Sequence, residues 1–397
     1  MSFKKIVGKM HLWLGFASGL IVFIISVTGC IYAFQEEIQD MTQPFRFAAE
    51  QPGKPLLPPS ELKAIAEKQL PGKHVHEVMY SGKGRAAQVI FFAFEPRYYY
   101  NVYIDPYTGE VLKVLDMDAT FFRIILDGHF YLWLPETIGQ PIAASATLIF
   151  VVMLISGIVL WWPKNSKAAK QRFTIKWSAR WRRKNYDLHN VLGFYASWIA
   201  IILAVTGLVW GFTWFANGYY KLAGGDKSIM FTDPLSDTTA TPVHMSKHVM
   251  DMVWDKMRVE HPNAAALVVH APEGNYAIGA SANPQPGIYW KTDYRFFDQF
   301  TLKEVSVDHL YGRIAEASTA DKLMRMNYDI HVGAILGLPG KILAFFISLI
   351  CASLPVTGVY IWWGRRHKEK EVPASTGARK PVPVMQPVIK RVKSETI

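Results

Sequence analysis

Cysteine is nearly absent from this chain of 397 residues. Cys30 and Cys351 are the only two, and each falls inside a long uncharged run. Segments outside those runs therefore hold no disulfide, and no Cys-x-x-Cys-His segment exists for covalent haem attachment. Both cysteines read as small buried apolar residues. A glycine-rich phosphate loop, a nucleophile elbow and a flavin or nicotinamide fingerprint are also missing. Acidic residues are absent from two basic stretches: residues 1–10 carry three lysines and residues 163–184 nine Lys/Arg, with no Asp or Glu in either.

Apolar and aromatic residues are abundant, at 50% and 14% of the chain. Four uncharged runs reach the roughly 20 residues that cross a hydrocarbon core: Leu12–Phe34, Thr137–Trp162, Asn190–Tyr220 and Ile342–Gly364. Trp and Tyr at their ends fit interfacial belts, and the third run is long enough that Trp214–Tyr220 is expected in the interface. Lys4, Lys5 and Lys9 before the first run imitate a signal peptide. The run is too long for a signal core and lacks a clear small-x-small site, so it is read as a retained helix. Residues 364–397 hold nine basic residues against three acidic. The net charge of +11 is thus concentrated in short segments flanking the runs. That pattern places both termini and the middle loop in the cytoplasm, with two long loops outside, and argues against nucleic acid as a partner.

The chain also repeats itself. Aligning His11 with His189 brings Leu14-Gly15-Phe16 onto Leu192-Gly193-Phe194 and Val27-Thr28-Gly29 onto Val205-Thr206-Gly207, one constant offset over a whole helix. The closing runs match too: Ser156-Gly157 through Trp161-Trp162 pairs with Thr357-Gly358 through Trp362-Trp363, and Asp127-Gly128-His129 with Asp329-Ile330-His331. Each outer loop reads as a small α+β module. In the first, a helix from Ser60 precedes strands at His74–Tyr80, Ala86–Phe94 and Tyr99–Ile104, then a turn at Asp105 into another strand. In the second, a helix from Thr241 to about Val259 precedes strands at Ala266–His270, Tyr276–Ala280 and Tyr294–Phe297. The expected fold is an α+β membrane protein: a four-helix bundle with two outer α+β domains and an internal two-fold repeat. Its order is a cytoplasmic start and first membrane helix (1–35), an outer domain (36–120), an outer helix and second membrane helix (121–162), and a basic loop (163–185). A third membrane helix (186–220), a second outer domain (221–320), an outer helix and fourth membrane helix (321–364) and a disordered basic tail (365–397) follow.

Four histidines occupy equivalent places in this repeat. His11 and His189 are expected at the cytoplasmic mouths of helices, His129 and His331 on the outer side, each facing its partner across the bundle. Haem b takes an axial imidazole from each side, and bundle cores are a common place to supply them. Two haems are therefore expected, one per pair, with all four histidines as iron ligands. Gly15 and Gly193 follow one turn after His11 and His189 and would leave a slot beside the ligand. Lys9, Arg182, Arg183 and Lys184 inside, and Arg123, Lys322 and Arg325 outside, are candidate cations for the propionates. An interfacial polar role or a bound metal ion is the alternative for each histidine. Asp127, Asp187 and Asp329, two residues before a histidine, are read as helix caps or as acceptors for a neighbouring imidazole. His244 with His248, and His74 with His76, are weaker candidate metal pairs.

Tyr103-Ile104-Asp105-Pro106-Tyr107-Thr108-Gly109-Glu110-Val111, Ser156-Gly157 through Trp161-Trp162-Pro163, and Asp187-Leu188-His189 with Gly193 together resemble the PepSY-associated transmembrane family over nearly the whole chain. In the second outer domain Leu302 stands where the turn glycine would be. The resemblance implies a bacterial inner-membrane reductase of ferric siderophores carrying b-type haems. Related chains fuse this membrane unit to flavin reductase domains; here the electron donor would be separate. No acid–base catalytic residue is implied. The resemblance also leaves open a membrane-anchored peptidase regulator, or a siderophore or haem transport component.

Overall fold

The computed structural model describes residues 2–163, 165, 172–242 and 247–367. The apolar runs become four helices long and apolar enough to cross a membrane: α1 (Phe3–Tyr32), α5 (Glu136–Trp161), α6 (Trp181–Gly211) and the helix ending at Arg366, labelled α10 below. Each starts or ends beyond its uncharged run. α1 continues through Lys4, Lys5 and Lys9, with the Lys4 ammonium donating to the Trp162 carbonyl at 2.9 Å, so His11 sits about two turns inside the helix and not at its mouth. His189 likewise lies within α6, on a π turn at Leu188–Leu192. The run expected to continue to Tyr220 breaks at Phe212, whose backbone is extended, and restarts as α7 (Thr213–Leu222). The tail beyond residue 367 and much of the basic loop lie outside the described residues.

Between α1 and α5 the chain forms α2 (Gln35–Thr42), α3 (Pro59–Glu67), four strands, and α4 (Phe121–Tyr131). The strands are β1 (Val75–Ser81), β2 (Ala87–Phe94), β3 (Arg97–Ile104) and β4 (Val111–Asp116). Between α7 and α10 (Gly337–Arg366) come α8 (Val249–Glu260), β5 (Ala266–His270), β6 (Ile278–Asn283), β7 (Asp293–Phe297) and α9 (Thr319–His331). α8 begins later than the sequence suggested. His248 caps it by accepting the Met250 N–H at 3.3 Å, and His244 falls outside the described residues.

The expected pair of separate outer modules is corrected to a single seven-stranded sheet, ordered β4-β3-β2-β1-β5-β6-β7. β1 and β5, from different loops, pair antiparallel from Glu77–His270 to Ser81–Ala266. Each half would otherwise expose an unpaired edge there, and the pairing satisfies both. One apolar core lies under one face. Leu62 and Ala66 of α3 and Met250, Val253, Trp254 and Met257 of α8 pack on Val75, Val78, Phe91, Val269 and Phe297. Ser60 joins the two helices, donating to Asp251 from its backbone at 2.9 Å and its hydroxyl at 2.6 Å. The Asp105 and Asp298 turns are also alike. Each carboxylate accepts the next two free N–H groups, and the fifth residue is left-handed, Gly109 in one and Leu302 in the other.

Candidate functional site

The four histidines are each held in the same way by a helix they do not belong to. His129 Nδ1 lies 3.1 Å from Thr28 Oγ1 and 2.9 Å from the Ile25 carbonyl. His331 Nδ1 lies 3.0 Å from Thr206 Oγ1 and 2.9 Å from the Leu203 carbonyl. His11 Nδ1 lies 2.8 Å from Ser156 Oγ, with the Met153 carbonyl as second partner. His189 Nδ1 lies 2.9 Å from Thr357 Oγ1, with the Leu354 carbonyl alongside. A carbonyl oxygen only accepts, so Nδ1 carries the proton in all four rings. Nε2 is then the lone-pair donor, aimed away from the holding helix, which is how a ligating imidazole is oriented by its other nitrogen.

A glycine follows each hydroxyl residue, and the imidazole lies against it. A Cβ on Gly29 would come within 3.2 Å of His129 Cε1, and one on Gly207 within 3.1 Å of His331 Cε1. The corresponding distances are 3.5 Å for Gly157 to His11 and 3.4 Å for Gly358 to His189. The Ser/Thr-Gly pair is thus a seat for a ring: the hydroxyl fixes the tautomer and the bare Cα admits the edge.

The His129 and His331 rings face each other with centres 6.1 Å apart. They border a cavity of about 420 Å³ between the sheet-side ends of the membrane helices, walled by Ala143, Ala144, Ala200, Ala204 and Trp210. The small residues make its width, and its lining is mostly apolar. α9 places His331 because it is fastened to the sheet domain. Arg325, buried, donates to the carbonyls of Leu310, Thr292 and Gly312. Asp329 accepts the Tyr289 and Trp290 N–H groups at 2.8–3.0 Å. Burial pushes the Asp329 carboxyl up, against the pull of those N–H groups. At the other end of the bundle, His11 on α1 and His189 on α6 are each held by a hydroxyl of a neighbouring membrane helix.

The family model for the PepSY-associated TM region matches residues 9–365. The chain belongs to that family. No curated protein matches it. The PepSY-associated TM region takes in all four histidines, their four Ser/Thr-Gly seats and the whole sheet, within a multi-pass membrane protein.

Other candidates fall elsewhere. Gly15 and Gly193 receive side chains: a Cβ on Gly15 would meet Met153 Cε at 3.1 Å, and one on Gly193 would meet Leu354 Cδ2 at 3.3 Å. Met153 and Leu354 are the residues whose carbonyls hold His11 and His189, so these two glycines let the seat-bearing helices come close. Arg123 is engaged with Asp127 at 3.1 Å and Asp118 at 3.6 Å, and Arg325 is committed to backbone carbonyls. The three aspartates neither cap a helix nor touch an imidazole: Asp127 pairs with Arg123, Asp187 with Arg183 at 2.9 Å, and Asp329 holds the sheet domain. The Thr-Gly and Ser-Gly pairs were visible as repeated letters, but nothing in their spacing linked them to histidines on other helices.

Proposed function

We propose that this protein holds two b-type haems, one between His129 and His331 and one between His11 and His189, and passes electrons across a bacterial inner membrane to a ferric siderophore. The observation that carries the reading is the fourfold seat, which leaves Nε2 of every ring as a free donor. The outer pair suits such an occupant. Two metal–nitrogen bonds of about 2.0 Å, with about 1.1 Å from each nitrogen to its ring centre, require about 6 Å between centres. The 6.1 Å separation and the alanine-walled cavity meet that need. When bound, haem b supplies a reversible one-electron carrier.

The residues of this chain do the rest. Thr28, Thr206, Ser156 and Thr357 hold the four imidazoles in one tautomer. The apolar walls keep water from the outer pair. The basic residues that begin α1 and α6 lie at the helix ends away from the loops that build the sheet, which supports a cytoplasmic or membrane donor near His11 and His189 and an acceptor beside the sheet. The matched seats support an internal two-fold repeat. Reduction of a ferric chelate to Fe(II) weakens its hard oxygen ligands and releases the metal. Purified protein is expected to show a dithionite-reducible b-type spectrum with two haems per chain and to release Fe(II) from a ferric chelate, read with a ferrous trap. A colourless, correctly folded protein from haem-replete cells would sink the reading.

A further inference from the structure

We propose that His76, Glu77 and His270 form a binding site for a divalent transition-metal cation at the seam where the two outer loops join. The site is separate from the membrane histidines and does not depend on the haem reading.

His76 and Glu77 are neighbours on β1, and neighbours in a regular strand point to opposite faces. Here the register with β2 shifts between Val75 and Glu77. Such a bulge re-aims side chains. Val75, Val78 and Tyr80 all belong to the apolar core, so both residues between Val75 and Val78 turn away from it. His270 is the cross-strand partner of Glu77 and follows the core residue Val269, which puts it on that same face. Gly279 on β6 makes room: a Cβ there would come within 3.2 Å of the His270 ring.

The result is one ligand atom from each residue, all within 4.8 Å of one another. His270 Nε2 and Glu77 Oε2 are 3.3 Å apart, and the two imidazole centres are 4.8 Å apart. Bonds of about 2.0–2.1 Å in a tetrahedron put ligand atoms about 3.3–3.4 Å apart, the separation His270 and Glu77 already have. His309, by contrast, is bonded at both nitrogens, to the Thr232 carbonyl and the Tyr311 N–H. Two imidazoles and one carboxylate, with a position left open, suit zinc-class cations.

Full-length protein in detergent, stripped with EDTA and dialysed against Zn(II), is expected to retain one zinc per chain by elemental analysis. Zinc should also raise its melting temperature, because the ligands join strands from both loops. His76→Ala, Glu77→Gln and His270→Ala should each weaken zinc binding at least tenfold and abolish the thermal shift, whereas His74→Ala, two residues away, should change neither. The near-isosteric Glu77→Gln decides the matter if an alanine variant misfolds. Sub-stoichiometric zinc on the parent at micromolar concentrations, or unchanged affinity in Glu77→Gln or in folded histidine variants, overturns the proposal.

Discussion

Thr28 Oγ1 stands 3.1 Å from His129 Nδ1, joining α1 to the end of α4. The same hydroxyl donates to the Ile24 and Ile25 carbonyls, so it can only accept from the imidazole. Thr28→Val keeps the shape and removes that acceptor. The loss of one such bond is worth about 0.5–1.5 kcal/mol, and the Ile25 carbonyl remains. On the two-haem proposal, the variant should retain both groups and raise the midpoint potential of the one at His129, because a less strongly hydrogen-bonded imidazole is a weaker donor to ferric iron. Redox titration of Thr28→Val and Thr206→Val checks this, with the larger shift expected in the double variant.

Gly207 leaves no room for a larger residue. With a Cβ already 3.1 Å from His331 Cε1, Gly207→Leu drives atoms into the ring and displaces its Nε2. On the two-haem proposal, purified Gly207→Leu should hold one haem per chain and the parent two, measured by pyridine haemochrome. Gly358→Leu should lose the other one.

Arg325 is a structural clamp. Arg325→Leu strands the Leu310, Thr292 and Gly312 carbonyls, at about 1–3 kcal/mol for each buried group left unpaired. A melting temperature several degrees below the parent is expected. The haem spectrum of the folded fraction should be unchanged, because the guanidinium is occupied by backbone. A selective loss of haem in folded Arg325→Leu would contradict this.

Asp40 ties α2 to the turn that follows it through Arg46 at 2.8 Å and to the segment leading into β2 through Arg85 at 2.5 Å. Burial pushes its carboxyl up, but hydrogen bonds from the two arginines more than offset that, and it titrates below its ordinary 3.8. A depressed carboxyl contributes stability that is present above the ordinary value and lost as pH falls through the folded one. Asp40→Asn should therefore melt below the parent at pH 7, with the gap closing under about pH 4. Thermal melts across that range test the sign.

The helices and strands were legible because hydropathy and alternation are local signals; β5 was read to the residue. The β1–β5 pairing was not, since nothing in Glu77 or His270 announces which strand each will meet. His11 lies about two turns inside α1 because the helix runs on through Lys4, Lys5 and Lys9, which an uncharged run leaves out. The histidine pairing followed from the repeat, and the outer two do face each other. What holds them was missed, because Thr28 and His129 lie on different helices and meet only once the bundle is packed. Leu302 was read as a departure from the first turn, yet it adopts the left-handed conformation of Gly109 with the same hydrogen bonds, since the Asp298 carboxylate organises the turn whichever residue closes it.

The shared sheet sets a timetable for biogenesis. When residues 36–120 have been made, β1 has a free border that residues 266–270 will later cover. Until then the first loop is an open template, exposed to pairing with other chains. The sheet can be completed only after residues 266–270 have been made, so a chain stopped before them should yield aggregates and not a stable half-molecule.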